Sequence, residues 1–248
     1  MTEQGVAKII DSASILVLRD NDKTGALEVL MVKRHADIAF AGGAYVFPGG
    51  KVDPEDLALS QNVPSFPVGY SELTLTAFRE VFEESGLIIG DGEGATEHRA
   101  ELLSGELSFT DFIVKCNVKF NVEDLVPFAR WVTPKISPKR FDTRFFLARA
   151  PQGQEAVPDY SEIVKAVWAQ PIEFIDNFRG DLMFPTVMNL KLLGQASSVN
   201  EAMSLARARK IITVEPKWED GGPSIDPDAG YGEIEHLGLH KGFKPINK

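Results

Sequence analysis

The chain has 248 residues, of which 44% are hydrophobic and 25% are charged. This composition is typical of a folded protein with one large or two small domains, and it excludes a chain that is disordered throughout. The 26 Lys and Arg residues against 36 Asp and Glu residues give a net charge of −10, which argues against a broad nucleic-acid-binding surface. A small phosphorylated ligand is compatible with this charge, because carboxylates attract divalent cations that screen phosphate groups.

The sequence carries no sign of a membrane or secretory protein. No stretch reaches the roughly 20 consecutive apolar residues that span a bilayer, and residues 1–5 lack the basic start of a signal peptide. We therefore expect a cytoplasmic protein with no membrane partner. The single cysteine, Cys116, follows an apolar stretch without a neighbouring histidine, which predicts a buried thiol rather than a metal ligand.

The first third of the chain predicts strands followed by a helix. Apolar segments at residues 12–18 and 27–34 flank a turn, which is typical of a hairpin. A short apolar run then ends at Pro48-Gly49-Gly50, where the chain must turn. Residues 57–71 contain three Pro or Gly residues and predict a loop, whereas residues 72–85 have a helical period that ends at Gly86.

The rest of the chain predicts mixed α and β structure and then helices alone. A helix is expected at residues 109–117 and strands at residues 128–133, 140–150 and 163–169. Beyond residue 183, Pro185 suits a first helical turn and Ser198 with Glu201 resembles a capping box. We therefore divide the chain into an α/β unit at residues 1–183 and a C-terminal helical extension at residues 184–248, which ends in an irregular or partner-dependent tail from Glu219 onward.

The predicted helix at residues 72–85 carries three carboxylates on one side. At about 100° per residue, Glu80, Glu83 and Glu84 share an arc of about 100°. The opposite side is apolar and would pack on a sheet; it comprises Leu75, Phe78, Val81 and Phe82. This pattern predicts one face that anchors the helix and another that presents charge.

Three like charges near the C-terminal end of a helix repel one another and oppose the helix dipole. Arg79 can pair with Glu83, but a single guanidinium leaves two carboxylates uncompensated. A hard cation with oxygen ligands, Mg²⁺ or Mn²⁺, would compensate them. The alternative is an ordinary solvated helix face.

Gly50 followed by Arg79-Glu80-Val81-Phe82-Glu83-Glu84-Ser85-Gly86-Leu87 resembles the Nudix box, G-x5-E-x7-R-E-U-x-E-E-x-G-U, in which U is apolar. The second half of the box matches at every specified position. Arg79 lies 29 residues after Gly50 instead of 14, so 15 residues are inserted at positions 57–71. Counting forward from Gly50 places the first acid of the box at Asp56, and counting back from Arg79 places it at Ser71, beside Glu72.

A box split in this way is similar to that of a Nudix subgroup of coenzyme A diphosphatases, which the segments 44–50, 131–134 and 140–147 also resemble. The resemblance implies an α/β/α sandwich around a mixed sheet, with residues 1–183 as the Nudix hydrolase domain. It also implies a Mg²⁺ or Mn²⁺ requirement and hydrolysis of the diphosphate linkage in a nucleoside-diphosphate-linked compound such as coenzyme A or acyl-coenzyme A. The alternatives are a Nudix hydrolase of ADP-ribose, NADH or nucleotide sugars, and a Nudix-fold sensor that binds a nucleotide without hydrolysing it.

The resemblance also implies roles for individual residues. Glu80 and Glu84 would bind the cation, with Glu83 either a further ligand or a partner of Arg79, and with the carbonyl of Gly49 or Gly50 completing the shell. The general base would be Glu80 or Glu162, which precedes the last predicted core strand; Glu162 has the alternative interpretation of a loop acid that caps this strand.

Four basic residues are candidates for contact with substrate phosphates: Arg34, Lys51, Arg140 and Arg144. Arg34 ends a strand near the Gly-Gly turn, and Arg144 lies in the middle of a strand, where an unpaired charge would be costly, so these two are favoured. Each could equally be a surface charge. We expect a small nucleotide-type molecule as the partner, and because Nudix proteins are often dimers, a homodimer is one of the expected states.

Overall fold

A mixed eight-stranded sheet runs through the part of the chain that the structure, a computed structural model, describes: residues 6–61, 71–219, 222–232 and 234. Its central strand β1 (Ile9–Asp20) runs parallel to β8 (Arg140–Arg149), in continuous register from Ile9 opposite Arg140 to Leu18 opposite Arg149. The remaining strands of this sheet are β2 (Leu27–Arg34), β3 (Tyr45–Val46), β4 (Gly49–Lys51), β7 (Val126–Val132), β9 (Ile163–Ala169) and β10 (Thr213–Val214). Two small two-stranded sheets join β5 (Gly90–Asp91) to β6 (Lys119–Phe120) and β11 (Lys217–Glu219) to β12 (Gly222–Ser224).

The Gly-Gly turn fits between β1 and β2, which diverge along their length. The C-terminal end of β1 pairs with β2, whereas Ser12–Ser14 pairs with β4, and β3 pairs with β2. At Gly49 a Cβ atom would lie 2.5 Å from the Ala13 carbonyl oxygen and 2.7 Å from the Ser14 Cα, so no side chain fits there. Glycine therefore allows the turn to pass directly against the central strand.

Helices cover both faces of the large sheet. The helices are α1 (Pro54–Ser60), α2 (Ser71–Ser85), α3 (Arg99–Ser104), α4 (Phe109–Lys115), α5 (Pro171–Phe178), α6 (Phe184–Leu193) and α7 (Val199–Ala208). One apolar cluster joins α5, α6 and α7 to one face of the sheet, and a second joins α2 to the other face. A third cluster lies between α2 and the outer helices α3 and α4 and contains the buried Cys116. The predicted α/β/α sandwich around a mixed sheet is confirmed.

Most predicted elements are confirmed, including the hairpin, the helix that ends at Gly86, the strands of the second third and the helices after residue 183. Two predictions are corrected. Residues 57–60 are helical rather than loop, because α1 begins at Pro54 and continues to Ser60; residues 62–70 of the insertion lie outside the described residues. The tail is not irregular from Glu219, because backbone pairing between Lys217–Glu219 and Gly222–Ser224 forms a short hairpin; residues 235–248 lie outside the described residues.

The helices after residue 183 share the apolar cluster of one sheet face, so α6 and α7 pack directly on the sheet of the preceding unit. The division of the chain at residue 183 stays a prediction. Within the described residues, no helix is long and apolar enough to cross a membrane.

A buried hydrogen-bond chain ties the C-terminal segment to the core. The Trp131 indole N–H donates to the Tyr231 hydroxyl (2.8 Å), and this hydroxyl donates to Asn189 Oδ1 (3.1 Å). Burial raises the pKa of Tyr231 to about 12, so the phenol stays neutral and able to donate at neutral pH.

Substituting Tyr231→Phe should lower the free energy of unfolding by about 1–3 kcal/mol, because the Trp131 N–H and the Asn189 carbonyl lose their partner inside the core. Thermal denaturation of the variant should show a fall in Tm of several degrees. Tyr45→Phe is the matched control, since that ring is equally buried and its hydroxyl has no hydrogen-bond partner among the described residues. Equal Tm values for the two variants would contradict the role of the chain.

Candidate active site

The carboxylate side of α2 is covered by protein rather than presented to solvent, which corrects the predicted two-faced helix. Arg79 and Glu84 are each only 5% exposed. The reason is tertiary: β4 and α1 pack against the side of α2 that the helical period marks as polar. The apolar residues of α2 are buried as predicted, but they divide between the sheet and the outer helices.

Arg79 is the centre of an ion-pair network that joins Asp56, from the first half of the box, to the glutamates of the second half. Its Nε and Nη2 donate to the two carboxylate oxygens of Asp56 at 3.0 and 2.8 Å, and its Nη1 donates to Glu80 and Glu83, both at 2.9 Å. Nη2 also donates to the Lys51 carbonyl at 3.2 Å. Burial works against the charged form, but these hydrogen bonds and negative neighbours raise the pKa of Arg79 above its usual value.

Asp56 is therefore the acid of the first half of the box that contacts Arg79, as forward counting from Gly50 predicts. Its side chain is fully buried and also accepts hydrogen bonds from the Thr76 hydroxyl (2.8 Å) and the Asp53 N–H (3.0 Å). Backward counting leads instead to Ser71, the first residue of α2, beside Glu72, whose carbonyl oxygen lies 2.9 Å from the Thr76 hydroxyl. The insertion thus follows Asp56 in the chain and leaves its contact with Arg79 in place.

A second guanidinium reaches the carboxylates, which corrects the expectation that only Arg79 compensates them. Arg34 Nη1 lies 3.4 Å from Glu84 Oε1, and Arg34 Nη2 lies 3.4 Å from Glu162 Oε2. The other oxygen of Glu84 accepts the Gly49 N–H at 3.0 Å. Arg34 therefore bridges the carboxylate helix and the loop before β9.

Gly50 allows the Glu80 carboxylate to lie directly against the backbone of the turn. A Cβ at this position would be 2.2 Å from Glu80 Oε1, so any side chain would displace that carboxylate. The two glycines of the turn thus serve different contacts. Gly49 approaches β1, and Gly50 approaches the carboxylate helix.

Burial raises the pKa values of all three glutamates. It raises the pKa of Glu80 to about 7; Arg79 partly opposes this shift and the Glu83 charge adds to it. It also raises the pKa of Glu84 well above the usual value, with the Glu80 charge adding and Arg34 opposing, and the pKa of Glu83 rises for the same reason. The negative forms are therefore under-compensated by the protein alone.

Glu162 stands at the rim of this cluster, with a side chain that is 66% exposed. The Asp159 carboxylate accepts the backbone N–H groups of Ser161, Glu162 and Ile163 at 2.6, 2.6 and 3.0 Å. The Glu162 carbonyl accepts the His35 N–H at 2.7 Å, which ties this loop to the end of β2.

The side chains of the other basic candidates pair with groups other than the three glutamates of α2. The Lys51 ammonium pairs with Asp53 at 3.3 Å, and the Arg140 guanidinium donates to Thr133 and Glu215. Arg144 lies in the middle of β8, where its Nη1 is 2.7 Å from Asp142 Oδ1 and 3.4 Å from Asp11.

Sequence reasoning missed Arg99, which caps the end of the carboxylate helix. Its Nη2 donates to the Glu83 carbonyl at 2.7 Å, and its Nη1 donates to the Val157 carbonyl at 2.8 Å. A positive charge at a helix C-terminus is favourable, so Arg99 also offsets the helix dipole beneath the carboxylates. No spacing in the sequence marks this residue.

The donor chemistry of the cluster fits a hard divalent cation. Carboxylate oxygens and the carbonyls of the glycine turn are the ligands that Mg²⁺ and related ions prefer, and an added positive charge would stabilise the ionised carboxylates, whose pKa values burial raises. Among the described residues no three acidic, His or Cys side chains already converge as a cage, because Glu80 and Glu83 turn toward Arg79 and Glu84 toward Arg34. Cation binding would thus require these side chains to reorient.

Metal-free protein should lose stability as pH rises from about 4.5 to 7. Because the pKa of Glu80 is raised from 4.5 to about 7 in the folded state, the folded chain binds more protons than the unfolded chain in this window. The free energy of unfolding therefore falls as pH rises. Thermal denaturation in excess chelator should show this fall, and Glu80→Gln should flatten it; a Tm that rises across the window in the wild-type chain would contradict the assignment.

Comparison with known proteins agrees with this architecture. The family model of the NUDIX domain matches residues 9–184. The acyl-coenzyme A diphosphatases NUDT19 of Xenopus laevis and Homo sapiens are 23% and 22% identical over 265 and 249 residues, covering 81% and 77% of this chain and 70% and 66% of theirs. The crystal structure of a NUDIX hydrolase from Alicyclobacillus acidocaldarius superposes with a TM-score of 0.70 at 27% identity, over 81% of this chain and 97% of that one.

The family match covers more than half of the chain, and the site contains the charged residues of the family's box. The chain therefore belongs to the Nudix family and is a Nudix hydrolase.

Proposed function

We propose that this protein is a Mg²⁺- or Mn²⁺-dependent hydrolase of the diphosphate linkage in coenzyme A or acyl-coenzyme A. The observation that carries the proposal is the Arg79 network, which holds Asp56, Glu80 and Glu83 together across a 15-residue insertion. The NUDT19 relatives are named acyl-coenzyme A diphosphatases, and this name supports coenzyme A compounds as the substrate class.

Glu80 and Glu84 are the proposed cation ligands, together with the Gly50 carbonyl, and Glu83 is either a further ligand or a partner that fixes Arg79. When bound, the cation would neutralise charge on the phosphate oxygens and on the leaving group. Arg79 acts by holding Glu80 and Glu83 in place, and Gly49 acts by donating its N–H to Glu84.

Glu162 is the proposed acceptor of the proton from the attacking water, with Glu80 as the alternative. The exposed carboxylate of Glu162 lies at the rim of the cluster, where water and substrate have access, and Arg34 holds it near Glu84. A general base needs both access and a position beside the nucleophile. Glu80 has the raised pKa but is buried against Gly50 and Arg79.

Arg34 is the proposed phosphate contact at this site. Its guanidinium bridges two carboxylates at 3.4 Å, which is long for an ion pair, so a phosphate could replace either contact. Lys51 and Arg144 are proposed as outer contacts to a long substrate. Residues 1–183 are proposed as the hydrolase domain and residues 184–248 as an extension.

The test is a substrate panel. Purified protein with Mg²⁺ or Mn²⁺ is incubated with coenzyme A, acyl-coenzyme A, ADP-ribose, NADH and a nucleotide sugar, and the products are separated by chromatography. The proposal expects a phosphopantetheine product from coenzyme A or its acyl derivative at the highest kcat/KM. Faster cleavage of ADP-ribose, NADH or the sugar nucleotide would show that this compound, and not coenzyme A, represents the substrate class. Binding of nucleotides without cleavage of any compound would indicate a sensor.

A further inference from the structure

Tyr160 combines two features that are each unfavourable for folding. Its backbone has φ of +63°, a left-handed conformation that bulky L-residues rarely adopt. Its side chain is 70% exposed, so the ring gains little from burial. No described residue forms a ring contact or a side-chain hydrogen bond with it.

The surrounding turn enforces this conformation. The Tyr160 N–H donates to the Ile163 carbonyl at 2.9 Å. The preceding Asp159 carboxylate accepts from three successive backbone N–H groups after Tyr160 and from the Ser161 hydroxyl. Strain that the surroundings over-determine in this way is typical of a functional position.

The loop places the backbone of Tyr160 close to the candidate active site. Tyr160 precedes Glu162 by two residues, a chain length that spans at most about 7 Å. Glu162 in turn contacts Arg34, which contacts Glu84. A substrate that binds at this cluster and extends past Glu162 would pass this loop, which carries the exposed Tyr160 side chain.

We propose that the Tyr160 side chain is a stacking platform for the nucleobase of the substrate, which makes it a specificity-determining residue. This inference rests on the proposed function, because a nucleoside-diphosphate-linked substrate has a base next to the linkage. A flat aromatic face binds a planar base by stacking, and this contact requires the ring to be held out from the protein surface. The left-handed turn provides that placement.

The test compares Tyr160→Gly and Tyr160→Phe with the wild-type chain. Calorimetry with Mg²⁺ measures the Kd of AMP, which has a base, and of inorganic pyrophosphate, which has none. The Kd of AMP should rise about tenfold in Tyr160→Gly and stay within twofold in Tyr160→Phe. The Kd of pyrophosphate should stay within twofold in both variants.

Stability separates loss of stacking from loss of folding. Because glycine suits a positive φ, Tyr160→Gly should keep its Tm or raise it by up to about 3 °C. Asn117→Gly is the matched control, since Asn117 also has a positive φ, of 47°, but follows α4 away from the site. This control should leave both Kd values unchanged.

The binding data would overturn the inference if the wild-type chain did not bind AMP, if the Kd of AMP were equal in the wild-type chain and Tyr160→Gly, or if Tyr160→Gly lost AMP and pyrophosphate binding in parallel. A Tyr160→Phe variant as weak as Tyr160→Gly would also overturn it, because stacking needs the ring and not the hydroxyl. AMP binding that depends on Tyr160, without cleavage of any substrate, would reject the proposed function and keep the stacking role. Cleavage of a substrate, together with AMP binding that does not depend on Tyr160, would keep the proposed function and reject the stacking role.

Discussion

Glu84→Gln should lower kcat by about a thousandfold or more. Glu84 is the carboxylate that contacts both the glycine turn and Arg34, and it is proposed as a cation ligand. Glutamine has nearly the same shape and keeps an oxygen for the Gly49 N–H, but it lacks the charge that would hold a divalent cation. Loss of the cation's stabilisation of the transition state amounts to several kcal/mol, and each 1.4 kcal/mol is about a factor of ten in rate.

The same substitution should not unfold the protein. Burial already raises the pKa of Glu84 well above its usual value, so the folded state favours the neutral form that glutamine mimics. We therefore expect an unchanged or higher Tm in metal-free buffer. The matched control is Glu173→Gln, an exposed position on α5 at the opposite face of the sheet, which should keep wild-type kcat. A Glu84→Gln variant that retains more than a tenth of wild-type kcat would exclude Glu84 as a cation ligand.

Asp56→Ala should lower the free energy of unfolding by about 3–5 kcal/mol, because it leaves the buried Arg79 guanidinium without its two-point partner. For a chain of this size the expected fall in Tm is about 10 °C. Asp53→Ala is the control: Asp53 lies 3.6 Å from the same guanidinium, but its side chain is 36% exposed, so its loss should cost about 1 kcal/mol or less.

A double variant distinguishes the cause of this destabilisation. If the cost of Asp56→Ala comes from the buried Arg79 N–H groups that lose their acceptor, then Asp56→Ala with Arg79→Met should recover part of the lost Tm, although it would remain inactive. No recovery in the double variant, or an equal loss in Asp53→Ala, would show that Arg79 is not the reason that Asp56 is needed.

The fold was largely predictable because its signals are local. The helix that ends at Gly86 is marked by its period and its stop, and the hairpin by two apolar runs around a turn. Helix α1 was not predicted because the prolines of the insertion predict a loop. Pro54 favours a first helical turn only if the residues after it are themselves assigned to a helix. The hairpin of β11 and β12 depends on backbone pairing, and no alternation of polar and apolar residues predicts it.

The candidate site was predictable only in part, because its contacts are non-local. The box identifies Arg79 and the three glutamates, and forward counting from Gly50 finds Asp56. The contact of Arg34 with Glu84 and Glu162 joins residues 50 and 128 positions apart, which no spacing rule reveals. Likewise, no residue-type preference indicates a left-handed tyrosine at position 160.

The burial of the acidic face could not be deduced from the helix alone. The period of residues 72–85 separates polar from apolar positions, but it does not show what packs on the polar side. The glycine turn and α1 cover it, and this contact raises the pKa values of the glutamates. The helical period therefore located the three carboxylates correctly but predicted a solvent-exposed environment for them, which is wrong.

The most direct test of the central claim is cation-dependent cleavage of the diphosphate linkage by one preparation of protein. The chain is stripped with a chelator, assayed on coenzyme A and an acyl-coenzyme A, and assayed again after Mg²⁺ or Mn²⁺ is returned in excess. We expect no cleavage in the chelator, full recovery with the cation, and no recovery in Glu84→Gln. Cleavage that persists in excess chelator, or no cleavage with either cation, would contradict the account.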